Sequence, residues 1–526
     1  MKNFCYKYNR FLNFHQKYYF QFRKYTNLKS VLMQAENRTY AQAVEGLNSL
    51  QSNAAVLKSI GKSNDRNSRS LPEMREFCQK LGYEPHDFDS LNIIHVTGTK
   101  GKGSTCALVE SILRNFYSSR KESMTNKIRT GLFTSPHLVA VRERICLDGT
   151  MLSEEEFTKY FFECWDKLEL NNLQQGDEDK QIKPGYFRYI TLMAFHVFMK
   201  EKVDVAIMEV GIGGEYDSTN IIEKPTVCGV SSLGIDHQRY LGETIDLIAW
   251  HKGGIFKANV PAVTIDQPPI AFDVLKKRAK DVNAPFTQVE THTKESLGNI
   301  NIGLAGRHQL KNASLAIELC RIWLEKHRNI KFSNEKVPQE FVPGLTKVRW
   351  SGRSQQLVLE KYPKITWFLD GAHTLESMQV CADWFSEAVI AKMDKSIERI
   401  LVFNCTADRN GAEMIKQITS KNPYIHFDHA NFCTNITFTT NQFKPDLQNN
   451  TIRIDENLNF QKTLAEIWPT LIPKSQTSDA HVFPTIQNAI NWILEHCKES
   501  EREVQVLVTG SLHLVGGVMA VLEIDV

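Results

Sequence analysis

Short apolar segments alternate with stretches of helical periodicity along this chain from about residue 40 onward. Such alternation is typical of α/β proteins, in which helices cover the faces of a parallel sheet. In the first part of the chain the pattern predicts strands at 91–96, 203–210, 226–233 and 260–265 and helices at 104–117 and 188–200. The polar segment at 170–183 predicts a loop.

The α/β pattern begins again near Val342, Pro343 and Gly344, which predicts a second domain. Here the pattern predicts strands at 365–369, 399–405, 425–430 and 504–509 and helices at 374–391 and 484–497. The segment 434–480 is rich in Asn, Gln, Thr and Pro and predicts mainly loops. A chain of 526 residues is also too long for one compact core. We therefore expect domains at 36–343 and 344–526.

The composition is that of an ordinary soluble globular protein, with 42% hydrophobic and 23% charged residues. The sequence contains no uninterrupted apolar run near the ~18–20 residues that a membrane-spanning helix needs. Its 11 cysteines are scattered, odd in number and without C-x-x-C spacing. They therefore favour a reducing compartment over a disulfide framework or a cysteine metal site.

The basic residues are concentrated at the start of the chain. Residues 1–35 contain seven Lys and Arg and no acidic residue, so the whole-chain charge of +3 leaves −4 for the remainder. A mildly acidic body lacks the electrostatic footprint of a nucleic-acid-binding protein. The acid-free leader predicts targeting to the mitochondrial matrix, with a solvated basic tail as the alternative. A start at Met33 would give a cytosolic form without the leader.

The stretch HVTGTKGKGS, which ends at Ser104, follows a predicted strand and leads into a predicted helix. A strand, a glycine-rich turn and a helix can bind phosphate, because backbone N–H groups and the positive helix end face the anion. Gly98, Gly101 and Gly103 would let the backbone wrap closely, and Lys102 would reach the β- and γ-phosphates. We interpret the stretch as a nucleotide cradle, although its spacing differs from G-x-x-x-x-G-K-[ST]. An ordinary glycine-rich turn is the alternative.

Polar side chains follow two further apolar strands. Glu209 ends the segment VDVAIME and precedes a glycine-rich turn, and Asp236 and His237 follow the next strand. A carboxylate at the end of an apolar strand is costly unless it is paired or bound to metal. Since ligands bind at the carboxyl ends of parallel strands, we predict a Mg²⁺ site there with Glu209 and His237. A solvated carboxylate and a structural histidine are the alternatives.

Six separated segments resemble folylpolyglutamate synthase of eukaryotic type, within the wider group of Mur-type ligases. The segments are HVTGTKGKGSTCALVESILR, GLFTSPHLVAVRERICLDG, EVGIGGEYDSTNII, SSLGIDHQRYLGETIDLIAWHKGGIFK, FLDGAHTLESM and VTGSLHLVGG. The resemblance runs from about Tyr40 to the C-terminus. It implies a P-loop-type ATPase domain with a parallel-rich sheet, followed by a smaller Rossmann-like α/β domain. It also implies an ATP-dependent ligase that adds L-glutamate in γ-linkage to folates through an acyl phosphate.

The resemblance implies roles for particular side chains of this sequence. The residues that match the ATP-phosphate loop are Gly101, Lys102, Gly103 and Ser104. Those that match magnesium ligands are Ser135, Glu209 and His237. Those that match second-domain contacts to ATP or to the reacting groups are Arg353, Asp370 and His373. Lys252 matches a lysine that is carbamylated in relatives. The candidate catalytic residues are Lys102, His373 and Lys252.

The implied cofactors and partners are small molecules. They are ATP, Mg²⁺, a monovalent cation such as K⁺, a reduced folate and L-glutamate. We expect a monomer that binds no nucleic acid and does not insert stably into a membrane. Peripheral association with the inner membrane is compatible with this expectation.

Two departures from the family pattern concern the ATP site. The family's W-P-G-R is Trp350-Ser351-Gly352-Arg353 here, and its G-E-H-Q has Arg307 in place of the acid. The ending HLVGG favours the polyglutamylating enzyme over a dihydrofolate synthase or a bifunctional enzyme. A nucleotide-binding switch without ligase activity is a further alternative, but it gives no reason for Arg353, Asp370 and His373 to be present.

Overall fold

The computed structural model describes residues 38–51, 64–117, 127–175, 183–332, 337–390, 397–406, 409–421, 425–439, 445–447, 457–473, 476–499 and 502–525. These residues form two α/β units, each with one mixed sheet between helices. The predicted fold class is therefore confirmed, whereas the predicted leader at 1–35 lies outside the described residues. In the part of the chain that is described, no helix has the length and apolarity to cross a membrane.

The first unit is built on an eight-stranded sheet. Its strands are β1 (Ile94–Thr97), β2 (Thr130–Phe133), β3 (Ile145–Leu147), β4 (Thr150–Met151), β5 (Val205–Glu209), β6 (Val227–Val230), β7 (Ala262–Thr264) and β8 (Phe286–Gln288). They lie in the order β4-β3-β2-β5-β1-β6-β7-β8. All neighbouring pairs are parallel except β2–β3 and β3–β4 at one edge.

Strand β1 lies at the centre of this sheet, and all four of its residues are buried. Val96 pairs with Glu209 of β5, and Thr97 pairs with Val230 of β6. This parallel register brings the carboxyl ends of the three central strands to one edge of the sheet. The glycine-rich stretch and the predicted metal ligand Glu209 therefore lie side by side.

Helices cover both faces of the first sheet. They are α1 (Tyr40–Ser49), α2 (Asn64–Leu81), α3 (Lys102–Asn115), α4 (Glu154–Gln175), α5 (Tyr186–Glu201), α6 (Gln238–Leu241), α7 (Ile245–Gly253), α8 (Pro269–Asp281), α9 (Gln309–Arg328) and α10 (Val342–Lys347). Along β5, Ala206 and Met208 face the core with α1, α2, α4 and α5. Val205 and Ile207 alternate with them and face the core with α3 and α9.

The second unit has a six-stranded sheet. Its strands are β9 (Gln355–Leu359), β10 (Tyr362–Leu369), β11 (Glu398–Phe403), β12 (His429–Cys433), β13 (Asp479–Phe483) and β14 (Val504–Thr509). They lie in the order β13-β12-β11-β14-β10-β9, parallel except for β9 against β10. Its helices are α11 (Leu375–Ile390), α12 (Gly411–Lys421), α13 (Asn459–Leu471), α14 (Ile486–Glu499) and α15 (Leu512–Leu522).

The short helix α10 packs on the first unit although the predicted boundary falls at its start. The Ser111 hydroxyl donates to the Gly344 carbonyl at 2.8 Å. A Cβ atom at Gly344 would lie only 2.4 Å from the Ile112 Cα, so the two helices approach closely there. The second sheet begins at Gln355. The division at 343 and 344 stays a prediction.

Most predicted elements are present within a few residues of their predicted bounds, but four predictions need correction. The strand predicted at 91–96 begins at Ile94, because Leu91 ends a 3₁₀ helix that starts at Pro85. The strand predicted at 425–430 begins at His429 and runs to Cys433. Ile425 and Phe427 are buried ahead of that strand, so their apolar side chains reflect packing and not pairing.

Two segments predicted as loops contain helices instead. Helix α4 continues to Gln175 into the segment 170–183, whose residues 176–182 lie outside the described ranges. The segment 434–480 contains α13, which buries Leu464 and Trp468 one helical turn apart. Composition alone cannot distinguish an amphipathic helix in a polar segment from a loop.

All ten described cysteines are free thiols, eight of them buried. Their structure agrees with the prediction that cysteines form no disulfide framework.

Candidate active site

The glycine-rich stretch forms a tight turn between β1 and α3. Gly101 has φ of 86° and precedes the first residue of α3, a backbone conformation that favours glycine. A Cβ atom at Gly98 would lie 1.9 Å from the Ser231 hydroxyl oxygen. The N–H groups of Thr99 and Lys100 donate to the carbonyl of a neighbouring loop at 2.9 and 3.0 Å. The turn is therefore held in place by its neighbours.

The amides that remain for an anion belong to the first turn of α3. Lys102, Gly103 and Ser104 open this helix, so their N–H groups have no intrahelical partner. The positive end of the helix dipole lies at the same place. Ser104 is buried in this turn, with 5% of its surface exposed. The predicted phosphate loop thus has the geometry of an anion site, while the role of each residue stays a prediction.

Two lysines meet at this turn. The Nζ atoms of Lys102 and Lys252 both donate to the Gly98 carbonyl oxygen, at 3.1 and 2.7 Å. Lys252 comes from α7 and is almost fully buried. Burial, followed by the positive charge of Lys102, lowers the pKa of Lys252 well below its usual range. The Lys252 amine is therefore held close to neutrality, whereas Lys102 supplies the positive charge.

Glu209 is buried at the carboxyl end of β5. Its Oε2 atom accepts a hydrogen bond of 2.9 Å from the backbone N–H of Ser135. Burial raises the pKa of Glu209, while Lys102, the Ser135 amide and Arg353 favour its charged form. This carboxylate lies inside the site and close to cationic groups, so its setting differs from that of a solvated carboxylate.

The loop after β6 contributes an acidic residue that links the two units. The Asp236 carboxylate lies 2.8 Å from the Lys100 Nζ atom, 3.9 Å from His373 Nε2 and 3.7 Å from Arg409 Nη2. Burial alone would raise the pKa of Asp236, but Lys100, His237 and His373 outweigh it and hold that pKa below its usual range. Asp236 is thus an anion that joins the glycine loop to the second unit.

His237 follows Asp236 and precedes helix α6 in a left-handed conformation, with φ of 52°. Burial lowers the pKa of His237, and the positive charges of Lys102 and Lys100 lower it further, against the effect of Asp236. The imidazole is therefore neutral, and its unprotonated nitrogen can accept a hydrogen bond. Lys102 acts on both His237 and Glu209, and their role as metal ligands stays a prediction.

The second unit places three predicted residues at the carboxyl end of β10. The Asp370 carboxylate accepts from the backbone N–H groups of Ser354 at 2.7 Å and Ala372 at 2.9 Å. Burial lowers the pKa of Arg353, while Asp370 and Glu209 favour its charged form. A carboxylate of each unit therefore stabilises the charge of this guanidinium.

His373 faces the same cleft. Its Nδ1 atom lies 2.8 Å from the Gly371 carbonyl oxygen, so Nδ1 carries the hydrogen and Nε2 has the lone pair. Burial and the positive charge of Lys100 lower the pKa of His373 to about 3. His373 is a neutral imidazole at physiological pH.

Several residues of the site were not predicted from the sequence. Arg409 donates to the His373 carbonyl oxygen, and this residue lies in a segment without a recognisable motif. Asn312 lies against the glycine turn, where a Cβ atom at Gly101 would be 2.2 Å from its Oδ1 atom. Trp350 lies against the first turn of α3, with Nε1 at 3.2 Å from a Cβ atom at Gly103. Of these three residues, only Trp350 had a signal in the sequence, because it begins the W-S-G-R variant of the family motif.

Trp350 also lines a cleft of about 400 Å³ beside the glycine loop. The cleft is bounded by residues 303–305 of the first unit and by Arg353, Ser354 and Trp384 of the second. Arg307, which replaces the family's acidic residue, pairs with Glu387 at 2.8 Å on the exposed side of the junction between the units. The substitution therefore changes a surface contact and leaves the cleft open.

Comparison with known proteins gives a consistent family. The family model described as "Dihydrofolate synthetase, C-terminal domain" matches residues 355–521. Folylpolyglutamate synthase of Neurospora crassa is 43% identical over 504 residues, covering 93% of both chains. Its counterpart from Candida albicans is 42% identical over 517 residues, covering 92% of this chain and 96% of the relative.

Solved structures show the same fold. A Mycobacterium tuberculosis folylpolyglutamate synthase complexed with ADP and AMPPCP has a TM-score of 0.65 and 22% identity, and the match covers 86% of this chain and 96% of that one. Within that fold, Asp236 of this chain joins Lys100 of the glycine loop to His373 and Arg409 of the second unit. On the sequence identity of its fungal relatives over nearly its full length, the chain belongs to the folylpolyglutamate synthase family.

Proposed function

We propose that this protein is an ATP-dependent ligase that adds L-glutamate in γ-linkage to reduced folates. The observation that carries the proposal is the Asp236 carboxylate, which joins Lys100 of the glycine loop to His373 and Arg409 of the second unit. Membership of the folylpolyglutamate synthase family supports the same activity. A nucleotide-binding switch would not need the cationic and acidic groups of the second unit at this place.

The nucleotide has a clear place in the cleft. The triphosphate would lie on the first turn of α3, where free amides, the helix dipole and Lys102 favour an anion. The adenosine part would extend into the cleft beside Trp350, which lies against that turn. The binding of ADP and AMPPCP by the Mycobacterium tuberculosis structure supports this assignment.

The first chemical step activates the folate carboxylate. A carboxylate oxygen is a poor leaving group, so the γ-carboxylate of the folate attacks the γ-phosphorus of ATP. An O–P bond forms, the bond from the γ-phosphorus to the bridging oxygen breaks, and ADP leaves. Negative charge spreads over the phosphoryl oxygens in this step, and the side chains that would stabilise it are Lys102 and Arg353. The product is an acyl phosphate.

The second step forms the amide bond. The neutral amine of the incoming glutamate attacks the acyl carbon, the bond from that carbon to the phosphate oxygen breaks, and the departing phosphate takes the proton that the amine loses. His373 is too weak a base to hold that proton, because its pKa is about 3. Its Nε2 lone pair can accept a hydrogen bond from the amine and orient it. Closure of the two units around Asp236 would exclude water from the acyl phosphate.

The residues at this edge also fit Mg²⁺, which prefers oxygen ligands. The candidates are the buried Glu209 carboxylate and the hydroxyl of Ser135, whose backbone holds that carboxylate. A bound Mg²⁺ would neutralise charge on the phosphate oxygens. His237 stays the third predicted ligand. Burial lowers the pKa of Lys252, which favours the neutral amine that reacts with CO₂. Carbamylation of Lys252 and a requirement for K⁺ stay predictions.

The description of the matched C-terminal family supports dihydrofolate synthase as a second candidate. The two reactions differ only in the pterin substrate. We would incubate purified protein with ATP, Mg²⁺ and labelled glutamate, and compare tetrahydrofolate with dihydropteroate by product mass analysis. Glutamate added to tetrahydrofolate alone supports the proposal, and addition to both substrates indicates a bifunctional enzyme. Addition to dihydropteroate alone refutes it.

We also propose a matrix location with a cytosolic form starting at Met33, supported by the basic, acid-free composition of residues 1–35. A monomer is the simplest assembly for this site, because both units that form the cleft belong to one chain.

A further inference from the structure

A cluster of histidines lies far from the cleft, at the amino end of the second sheet. Glu398 begins β11, His429 begins β12, and His496 lies in the last turn of α14. The active cleft lies at the opposite, carboxyl edge of this sheet. Since β11 rises roughly 3.3 Å per residue, its two ends are roughly 16 Å apart. The cluster therefore plays no part in the ligase chemistry described above.

The three side chains converge on one point. The Oε1 atom of Glu398 lies 3.1 Å from His429 Nε2 and 2.6 Å from His496 Nε2. All three atoms lie within 4.8 Å of one another. Ligand atoms in a tetrahedral zinc site lie about 3.3 Å apart, given metal–ligand bonds of about 2.0–2.1 Å. The contact of 2.6 Å between Glu398 and His496 would therefore open by less than an ångström, and that of 3.1 Å between Glu398 and His429 is already close to this spacing.

Neighbouring groups orient the two imidazoles. The Nδ1 atom of His429 lies 3.3 Å from His481 Nε2 and 3.9 Å from the Asp479 carboxylate. The ring of Trp492 stacks on His496, with centroids 5.0 Å apart and an interplanar angle of 7°. Metal-binding histidines usually have such a partner on the second ring nitrogen, which points the first toward the ion.

The burial and charge of the cluster suit an exchangeable ion. The Glu398 side chain is 5% exposed, whereas that of His496 is 32% exposed, so solvent reaches the cluster from one side. Arg502 is the nearby cation, and its Nη1 atom lies 3.9 Å from Oε2 of Glu398. The oxygen that faces both imidazoles is the other one, Oε1. A fourth ligand position would remain open to water.

We propose that Glu398, His429 and His496 form a binding site for a divalent transition-metal ion, Zn²⁺ in the first place. Two imidazoles and a carboxylate suit zinc, whereas Mg²⁺ prefers oxygen ligands alone. The bound ion connects β11, β12 and α14, so its expected effect is to stabilise the second unit. This site is independent of the proposed ligase activity.

The direct test is titration of tag-free, full-length protein with ZnCl₂ by calorimetry, in excess Mg²⁺ and without ATP. We expect one Zn²⁺ site that is lost in His496→Gln and in Glu398→Gln. His86→Gln is the matched control, because His86 is exposed and lies outside the cluster. His481→Gln should weaken Zn²⁺ binding by about 10- to 100-fold, since His481 only orients His429.

A thermal measurement gives a second readout. At a Zn²⁺ concentration of 100 times Kd, the unfolding transition of the second unit should rise by roughly 5–10 °C. His496→Gln should lose this rise, and circular dichroism together with ligase activity measured with Mg²⁺ and without Zn²⁺ would show whether the variant is folded. Absence of Zn²⁺ binding, or binding unchanged in both cluster variants, overturns the proposal. Loss of binding in Glu209→Gln instead would place the ion in the catalytic cleft, with the same consequence.

Discussion

Arg353 offers the sharpest test of the two-unit ATP site. Asp370 of its own unit and Glu209 of the first unit both favour the charged form of its guanidinium. It fits tightly there, because a Cβ atom at Gly371 would lie 2.6 Å from its Nη1 atom. Replacing Arg353 with Ala removes a cation from the place where phosphoryl charge develops. We therefore expect a loss in the chemical step.

The size of the effect follows from two terms. Removing one preorganised donor to a developing oxyanion typically costs about 10²–10³ in kcat, or roughly 2.7–4 kcal/mol. The loss also leaves Glu209 and Asp370 without their shared cation, which raises the pKa of Glu209 further above its usual range. Assays at pH 8 to 9 would keep Glu209 charged and would therefore measure only the loss of the donor. We expect kcat to fall about 10²-fold there.

The assay is single-turnover formation of ADP with saturating folate, together with direct measurement of folate affinity by protein fluorescence. Arg353→Ala should slow ADP formation and leave folate affinity within about twofold, because the contacts of Arg353 are on the ATP side of the cleft. Arg353→Lys keeps the positive charge and should recover part of the rate. Intact turnover with lost folate binding would place Arg353 in the substrate pocket and refute the reasoning.

Three further predictions concern separate parts of the chain. Lys102→Ala should abolish ligation and weaken ATP binding measured by calorimetry, because the phosphates lose the lysine of the turn; near-normal turnover would contradict the phosphate-loop assignment. His95 is fully buried beside Thr219, and burial lowers the pKa of His95 to about 3, so the unfolded state binds a proton that the folded state does not between pH 6.5 and 3. Stability measured by urea unfolding should therefore fall across that range more steeply in the wild type than in His95→Gln, and equal slopes would refute this. Residues 1–35 fused to a reporter should direct it to mitochondria while translation from Met33 leaves the enzyme cytosolic, and a diffuse fusion would reduce the leader to a basic tail.

Local patterns were enough for much of the fold. The strand at 504–509 has its predicted bounds, and all six of its residues are buried. Helices α3 and α5 begin and end within two residues of their predicted bounds. Segments with a polar composition were harder to predict. Helix α13 buries Leu464 and Trp468 in a region whose composition predicts mainly loops.

The sequence alone determined the chemistry that lies in continuous motifs. A strand, a glycine turn and a helix are local in the chain, so the residue pattern at Gly98, Gly101 and Lys102 is enough to predict an anion site. The carboxyl end of a parallel strand is also a local feature, which is why Glu209 could be expected at the same edge of the sheet. These predictions needed no knowledge of distant contacts.

Only the tertiary structure decided which distant groups meet. Asp236 contacts Arg409 across the two units, although more than 170 residues separate them in the chain. Glu398, His429 and His496 come from two strands and a helix without any motif spacing. Such contacts depend on sheet order and helix packing, and these are set by the burial of the whole core and not by the residues that meet. The pattern of a single segment therefore contains no signal for them.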